Sequence, residues 1–323
     1  MKSDYTSAAT MPTKMFHNPV VQKGKIVPYH VTITPTNVCN ETCAECFCKN
    51  RDKTAAIPYK EFTKITDTLY DLGTRAISLS GGGEPDCHPD INKIIKYVHN
   101  KDMDVALVTN SKALNRIDTN ALNLLDWIRV SSTTTRPVDL EKLATHVKRA
   151  PDAGWGHSLV LGQPKYTDFW FDPQMDYMKG LIGMTNEPNF SHLRIVSDMM
   201  HPDENRIPLL KRFIDDSGID TSKVIWQERT ENEKGIKDCK VGLLHPVIDA
   251  TGYMQPCCGI HFATTPPAFD FNEDTSMCHW TNYAKRVEDQ EVFDGENCDI
   301  CQYMDYNRTL EMLLTKPANS RFV

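Results

Sequence analysis

The chain of 323 residues has no apolar run near the roughly 18 residues that a membrane-crossing helix takes, and its start, Met1 to Met15, is polar where a secretory signal would carry an apolar core. Nor is there an excess of positive charge. Lys and Arg number 36 against 43 Asp and Glu, and this balance of −7 gives no general attraction for phosphate backbones or anionic lipid. Internal repeats and low-complexity tracts are missing too. These absences argue for a cytoplasmic protein with no nucleic-acid and no membrane partner. The 40% apolar and 24% charged residues exclude a disordered or fibrous chain and suffice for one large core, or a core with an appendage.

Cysteine, by contrast, is abundant. Eleven occur, and without a secretory signal they do not form a disulfide framework, because cytosolic thiols are kept reduced. Metal ligation is the leading explanation.

Residues 1–28 show little periodicity and form an N-terminal arm. From Tyr29 the pattern alternates strand and helix. Strands are expected at Tyr29 to Thr34, Ala76 to Ser80, Val105 to Thr109, Ile128 to Ser131, Ser158 to Leu161 and Leu193 to Val196. Between them, Phe62, Ile65, Leu69 and Leu72 recur at helical spacing before Gly73, and further helices are expected at Ile91 to Val98, Ala121 to Leu125, Leu140 to Val147 and Met175 to Ile182. Strands alternating with helices mean a parallel sheet with right-handed crossovers. About 170 residues is too few for a closed eight-fold barrel, so the fold class is α/β, a partial (β/α)6 barrel over residues 29–218. After a helix near Asn205 to Asp216 the chain turns cysteine- and turn-rich. Residues 219–323 read as a small appendage, with a hairpin from Val247 to Ala250 and Tyr253 to Cys257 about Thr251-Gly252.

Just after the first strand stand Cys39, Cys43 and Cys46, a C-x3-C-x2-C triplet that chance would place about 0.01 times in a chain of this composition. Structural zinc takes four ligands and catalytic zinc a set that includes His, whereas three close thiolates suit a cubane iron–sulfur cluster with one iron left open. Cys48 is a less favoured fourth ligand, one residue beyond Cys46. Strand two runs into Gly81-Gly82-Gly83-Glu84-Pro85, whose bland reading is a tight turn.

Triplet and glycine loop together resemble the radical S-adenosylmethionine (SAM) superfamily. The resemblance implies a [4Fe–4S] cluster on Cys39, Cys43 and Cys46 whose open iron is chelated by SAM. It implies SAM contacts from Gly81, Gly82, Gly83, Glu84, Asn110 and Ser131, with Arg129 a further guess; for Asn110 and Arg129 the alternative is a satisfied polar residue at a strand end. One departure is Glu45, where most of the family carries an aromatic residue; Phe47 lies on the far side of Cys46.

Downstream, twelve residues separate Cys239 from Gly252 and four more separate Gly252 from Cys257, and Cys298 and Cys301 close a C-x2-C pair. This resembles the SPASM and twitch extensions of radical SAM enzymes. No cysteine follows Cys301, so the resemblance implies a twitch-type domain with one auxiliary [4Fe–4S] cluster on Cys239, Cys257, Cys298 and Cys301. The spacing looks most like that of radical SAM dehydrogenases acting on 2-deoxy-scyllo-inosamine. A structural zinc site on the same four cysteines is the alternative. Cys87, Cys258 and Cys278 read as free thiols.

The resemblance implies reductive SAM cleavage and hydrogen abstraction at a site inside the barrel, at the strand C-terminal ends, capped by the appendage. A cluster with four protein ligands suits electron acceptance. The first expectation is therefore an oxidoreductase that oxidises a small polar metabolite and is fed by an external donor such as flavodoxin or ferredoxin. The second is a maturase of peptide or protein side chains; such enzymes often carry a leader-recognition domain before the barrel, where 28 residues stand here. The third is a non-catalytic iron–sulfur or zinc protein. No catalytic acid or base is assigned. His157, His192, Arg194 and Asp198 are possible substrate contacts, and Trp155, Trp170 and Phe171 are core or cavity wall.

Overall fold

A computed structural model describes residues 14–15, 18–43, 46–134, 136–161, 172–197, 207–216, 218, 220–228, 233–260 and 275–315. All six expected strands are present: β1 (His30–Ile33), β2 (Ala76–Leu79), β3 (Asp104–Thr109), β4 (Trp127–Thr133), β5 (Gly154–Leu161) and β6 (Phe190–Ser197). Each pairs in parallel with the next. Helices α1 (Val20–Lys23), α2 (Tyr59–Leu72), α3 (Ile91–His99), α4 (Thr119–Leu122), α5 (Leu140–Arg149), α6 (Asp172–Gly183) and α7 (Ile207–Asp216) precede or connect them. Asp198, Trp170, Phe171 and the first two residues of the expected helix from Asn205 lie outside the described residues.

The helices form where apolar spacing gives them a face to bury. In α2, Phe62, Ile65 and Leu69 fall on one stripe and are buried, each contributing about 1.5–3 kcal/mol against the sheet. Gly73 at φ 113° ends the helix and returns its N–H to Leu69. Asp139 caps α5 by accepting from the Lys142 N–H at 3.1 Å. Strand residues alternate between Val105, Leu107, Ile128 and Val130, buried in the main core, and the half-buried Ala106, Val108, Trp127, Arg129 and Ser131 of the concave inner face.

The sheet runs on where the appendage was expected to begin. β7 (Val224–Gln227) adds a parallel strand to β6. On the far side β8 (Val247–Ile248) joins β1 in parallel, and β9 (Tyr253–Gln255) and β10 (Cys278–His279) follow antiparallel. The order β10-β9-β8-β1-β2-β3-β4-β5-β6-β7 does not close. Here α8 (Val241–Leu244), α9 (Trp280–Asp289) and α10 (Met304–Thr315) accompany the strands, so this segment is more helical than its cysteines and turns suggested. Its Leu244, Ile248, Met254, Tyr283 and Tyr306 join the same buried cluster as β1 to β4, which explains why the sheet shows no seam there. A second cluster, including Leu159, Leu193, Ile195, Ile207 and Val224, packs β5 to β7 against α6 and α7. No helix among the described residues is long and apolar enough to cross a membrane.

Histidines buried in the neutral form tie stability to pH. Burial, then the charge of Lys14, lowers His30 to about 3, and burial, then His192, lowers His157 to about 3. A depressed folded value means that the unfolded chain takes up protons first. Stability is therefore full above pH 6.5 and falls as pH drops toward 3, by up to about 1.4 kcal/mol per pH unit for each group. In urea unfolding, His157→Gln is expected to shallow the fall between pH 6.5 and 4.5 by up to that amount, and an unchanged slope would refute the assignment.

Candidate functional site

Loops at the C-terminal ends of β1, β2 and β3 converge on the first cysteine set. Cys39, Cys43 and Cys46 are half-buried free thiols, close enough to act on one another electrostatically. Burial, partly offset by backbone hydrogen bonding near Glu41, raises Cys39; burial against the opposing charge of Arg136 raises Cys43. Arg51 donates from Nη1 to Cys46 Sγ at 3.5 Å and to the Cys48 carbonyl at 2.5 Å, and from Nε to the Asn37 carbonyl at 3.0 Å. Cys48 itself is buried. Glu45 lies outside the described residues.

The glycine loop lies directly on this turn. Gly83 N–H donates to the Thr36 carbonyl and Glu84 N–H to the Val38 carbonyl, at 3.1 and 2.8 Å. A Cβ on Gly82 would fall 2.4 Å from Asn37 Oδ1, and one on Gly83 2.3 Å from the Val38 carbonyl oxygen. Only glycine permits this approach. The buried Asn37 Oδ1 has no hydrogen-bond partner. An unmet acceptor in a cradle without side chains, next to three thiols, suits a ligand that brings an ammonium group and a thioether-like chain, and SAM has both. Glu84 does not present its carboxyl outward. It is buried, and its Oε2 accepts the Asn110 N–H at 2.8 Å. Burial, then the neighbouring Asp86, pushes Glu84 well above the usual carboxylate range. Asn110 donates from Nδ2 to Asn40 Oδ1 at 2.7 Å and accepts from the Lys112 N–H at 2.9 Å. Its side chain thus braces the cysteine loop.

Ser131 faces the interior from β4. It lies in register with Ser158, whose Oγ accepts from Arg194 Nε and Nη2 at 3.1 and 2.8 Å. One step toward the strand N-termini, Arg129, Gly156 and His192 share a row, and His192 stacks on Trp127 with centroids 6.2 Å apart. His157 and Trp155 lie on the opposite face: His157 Nε2 meets Ser132 Oγ at 2.7 Å, and Trp155 is part of the core. The floor of the interior is a His30–His245 stack at 4.1 Å, with His30 Nε2 2.7 Å from Ser78 Oγ and Tyr303 edge-on to His245.

The second set sits under this floor. β9 runs opposite to β8 and hence to β1, so Cys257, two residues past β9, emerges at the N-terminal end of β1. The appendage was expected to cap the C-terminal ends; its hairpin reverses the chain and carries this set to the other end. Segments 233–239 and 293–301 cross there through the bridges Glu233–Cys301 and Cys239–Phe293. They can cross because Gly235 and Gly295 carry no side chains: a Cβ on Gly235 would fall 2.2 Å from the Gly295 carbonyl oxygen. Cys257 and Cys298 each feel Cys239, and Cys298 also feels Cys301. Burial raises Cys257 strongly, and burial with these thiols pushes Cys298 up to about 11. Asn307 of α10 donates from Nδ2 to Cys239 Sγ at 3.6 Å. Cys258 is exposed and contacts Tyr303 Oη at 3.0 Å, Cys87 lies nearer the first set, and Cys278 is in β10. Among the described residues no three His, Cys, Asp or Glu side chains converge on a single-ion site. A cubane takes its thiolates on separate irons, a wider spacing than one shared ion requires.

The sequence reading did not foresee Asn37, Arg51, Arg136, His245 or Asn307. Asn37 and Arg51 had a local signal, lying two residues before Cys39 and five residues after Cys46.

A parallel, unclosed (β/α) sheet with three thiols over a glycine cradle defines the class, and residues 33–137 match the Radical SAM superfamily. That segment is similar to the radical SAM domain, whose family uses a [4Fe–4S] cluster and SAM. The antilisterial bacteriocin subtilosin biosynthesis protein AlbA of Bacillus subtilis (strain 168) is 32% identical over 91 residues, 28% of this chain and 20% of AlbA. The chain thus spans about a fifth of that curated relative in the match. Streptococcus suis SuiB bound to S-adenosylmethionine superposes with a TM-score of 0.58 at 14% identity, over 91% of this chain and 73% of SuiB. The AdoMet-bound anSMEcpe structure gives 0.54 at 11% identity, over 91% of this chain and 99% of that one. At these identities the likeness to solved structures concerns the fold.

Gly83→Ala is expected to weaken SAM binding at least tenfold, about 1.4 kcal/mol, in equilibrium dialysis of the iron-loaded protein; unchanged affinity would refute the cradle. Cys257→Ala is expected to lower iron from about eight to about four per chain, and Cys258→Ala to leave it at about eight. The reverse pattern would exchange their roles.

Proposed function

We propose that this chain is a radical SAM maturase that alters a side chain of a peptide or protein. In this reading Cys39, Cys43 and Cys46 hold the SAM-binding cluster, and Cys239, Cys257, Cys298 and Cys301 hold an auxiliary [4Fe–4S] cluster. The observation that carries the reading is the placement of the two cysteine sets at opposite ends of one polar interior. Bound there, cluster and SAM supply, on one-electron reduction by an external donor, a 5′-deoxyadenosyl radical that takes a hydrogen atom from the substrate.

The chain's own residues prepare that step. Gly81, Gly82 and Gly83 admit SAM to the backbone, and Asn37 Oδ1 accepts from its ammonium group. Glu84 and Asn110 hold the cysteine loop in place behind them. Ser131, Arg129, His192 and Arg194 face the substrate, while the His30–His245 floor keeps bulk water from the interior and separates substrate from the second set. Cys239, Cys257, Cys298 and Cys301 would hold the second cluster with no iron left open, and a cluster so held would supply an acceptor for the electron of the substrate radical.

A peptide is favoured over the small metabolite first expected for two reasons. AlbA acts in bacteriocin biosynthesis, and a further SuiB structure, TM-score 0.55 at 15% identity, holds its precursor peptide SuiA. The test is anaerobic incubation of the reconstituted protein with SAM, a strong reductant and short peptides encoded beside its gene. The reading expects a peptide product lighter by the mass of two hydrogens, with 5′-deoxyadenosine formed. Unchanged peptides alongside oxidation of an amino sugar or cyclitol would restore the metabolite reading.

A further inference from the structure

We propose that Arg51 is a positioning residue that sets the reduction potential of the first cluster through its contact with Cys46. The inference rests on Cys39, Cys43 and Cys46 being that cluster's ligands. Arg51 donates to Cys46 Sγ at 3.5 Å, and its other two hydrogen bonds, to the carbonyls of Asn37 and Cys48 at 3.0 and 2.5 Å, fix the guanidinium in place. The side-chain stem packs on the glycine loop: Arg51 Cδ lies 3.3 Å from where a Gly82 Cβ would be. One side chain therefore touches the third cysteine, the turn before the first, and the loop that receives SAM.

Arginine suits this position because its planar fork makes directed bonds in three directions while remaining charged. Hydrogen bonds to cluster sulfurs and local charge are two of the levers that tune iron–sulfur potentials. The tuned step is transfer of one electron from an external one-electron donor to the oxidised cluster. It adds a negative charge to a centre that three thiolates already make negative, and a fixed cation beside Cys46 favours the reduced state. The second set offers an internal comparison, since the side-chain donor to its Cys239 is the neutral amide of Asn307.

The test is an EPR-monitored redox titration of the anaerobically reconstituted, full-length protein without SAM, comparing wild type with Arg51→Gln and Arg51→Lys. Arg51→Gln is expected to retain about eight irons. Its first cluster should titrate at a more negative potential, with Arg51→Lys between it and wild type and the auxiliary signal unmoved. An unchanged potential in Arg51→Gln would overturn the proposal. Loss of the first cluster from both variants would also overturn it, because Arg51 would then be needed for assembly. Failure of the wild-type protein to form that cluster would instead overturn the ligand assignment beneath it.

Discussion

Taking thiolates out of water without a cation is unfavourable, and this chain does so twice. Burial raises Cys39, Cys43, Cys239, Cys257, Cys298 and Cys301, most strongly Cys257, and in all but Cys239 repulsion from a neighbouring thiol adds to it, so none of these thiols is comfortable as a bare anion. Iron bound by these thiolates would reverse that penalty, and its binding energy would then be available to the fold. Both ends of the parallel sheet are shaped by this demand. At one end loops converge on three thiols beside a glycine loop; at the other, two segments cross through paired glycines and bring a set of four together.

Between the ends, the pleat decides what a substrate meets. Every second residue of β3 and β4 packs in the core, and the alternates face inward, apolar from β3 (Ala106, Val108) and more polar from β4 (Arg129, Ser131), so the interior lining follows from the same alternation that builds the core. Cross-strand register then places Ser131 beside Ser158 and Arg194, and Arg129 beside Gly156 and His192. The appendage is continuous with this framework, since β8 extends the β1 edge and its residues share the main core. The two cysteine sets are therefore held by one sheet rather than by two units free to shift.

Much of this was legible in the sequence because the signals were local. Helical stripes such as Phe62, Ile65 and Leu69, the triplet from Cys39 to Cys46 and the glycine run at Gly81 are each written within a few residues. The hairpin about Gly252 was also readable, down to the turn that needs φ 88°. What escaped depends on contacts distant in sequence. β7 does not alternate, with Ile225 and Trp226 both half-buried between buried Val224 and Gln227, and α9 and α10 were hidden among turns and cysteines. Asn307 reaches Cys239 from 68 residues away. The end of the barrel that the appendage occupies follows from the direction of β8 against β1, which spacing does not encode. Glu84 Oε2 is taken up by the Asn110 N–H while its buried Oε1 has no hydrogen-bond partner among the described residues, a division of roles that the motif does not spell out. A motif names the loop and not the direction of each side chain.

The central claim is that two clusters occupy opposite ends of one interior and that only the first has an iron open to SAM. EPR spectra of the reduced, reconstituted protein recorded with and without SAM test it most directly. The account expects two cluster signals, of which one changes on adding SAM and disappears in Cys43→Ala while the other stays the same. A single signal, or two signals that both ignore SAM, would contradict it.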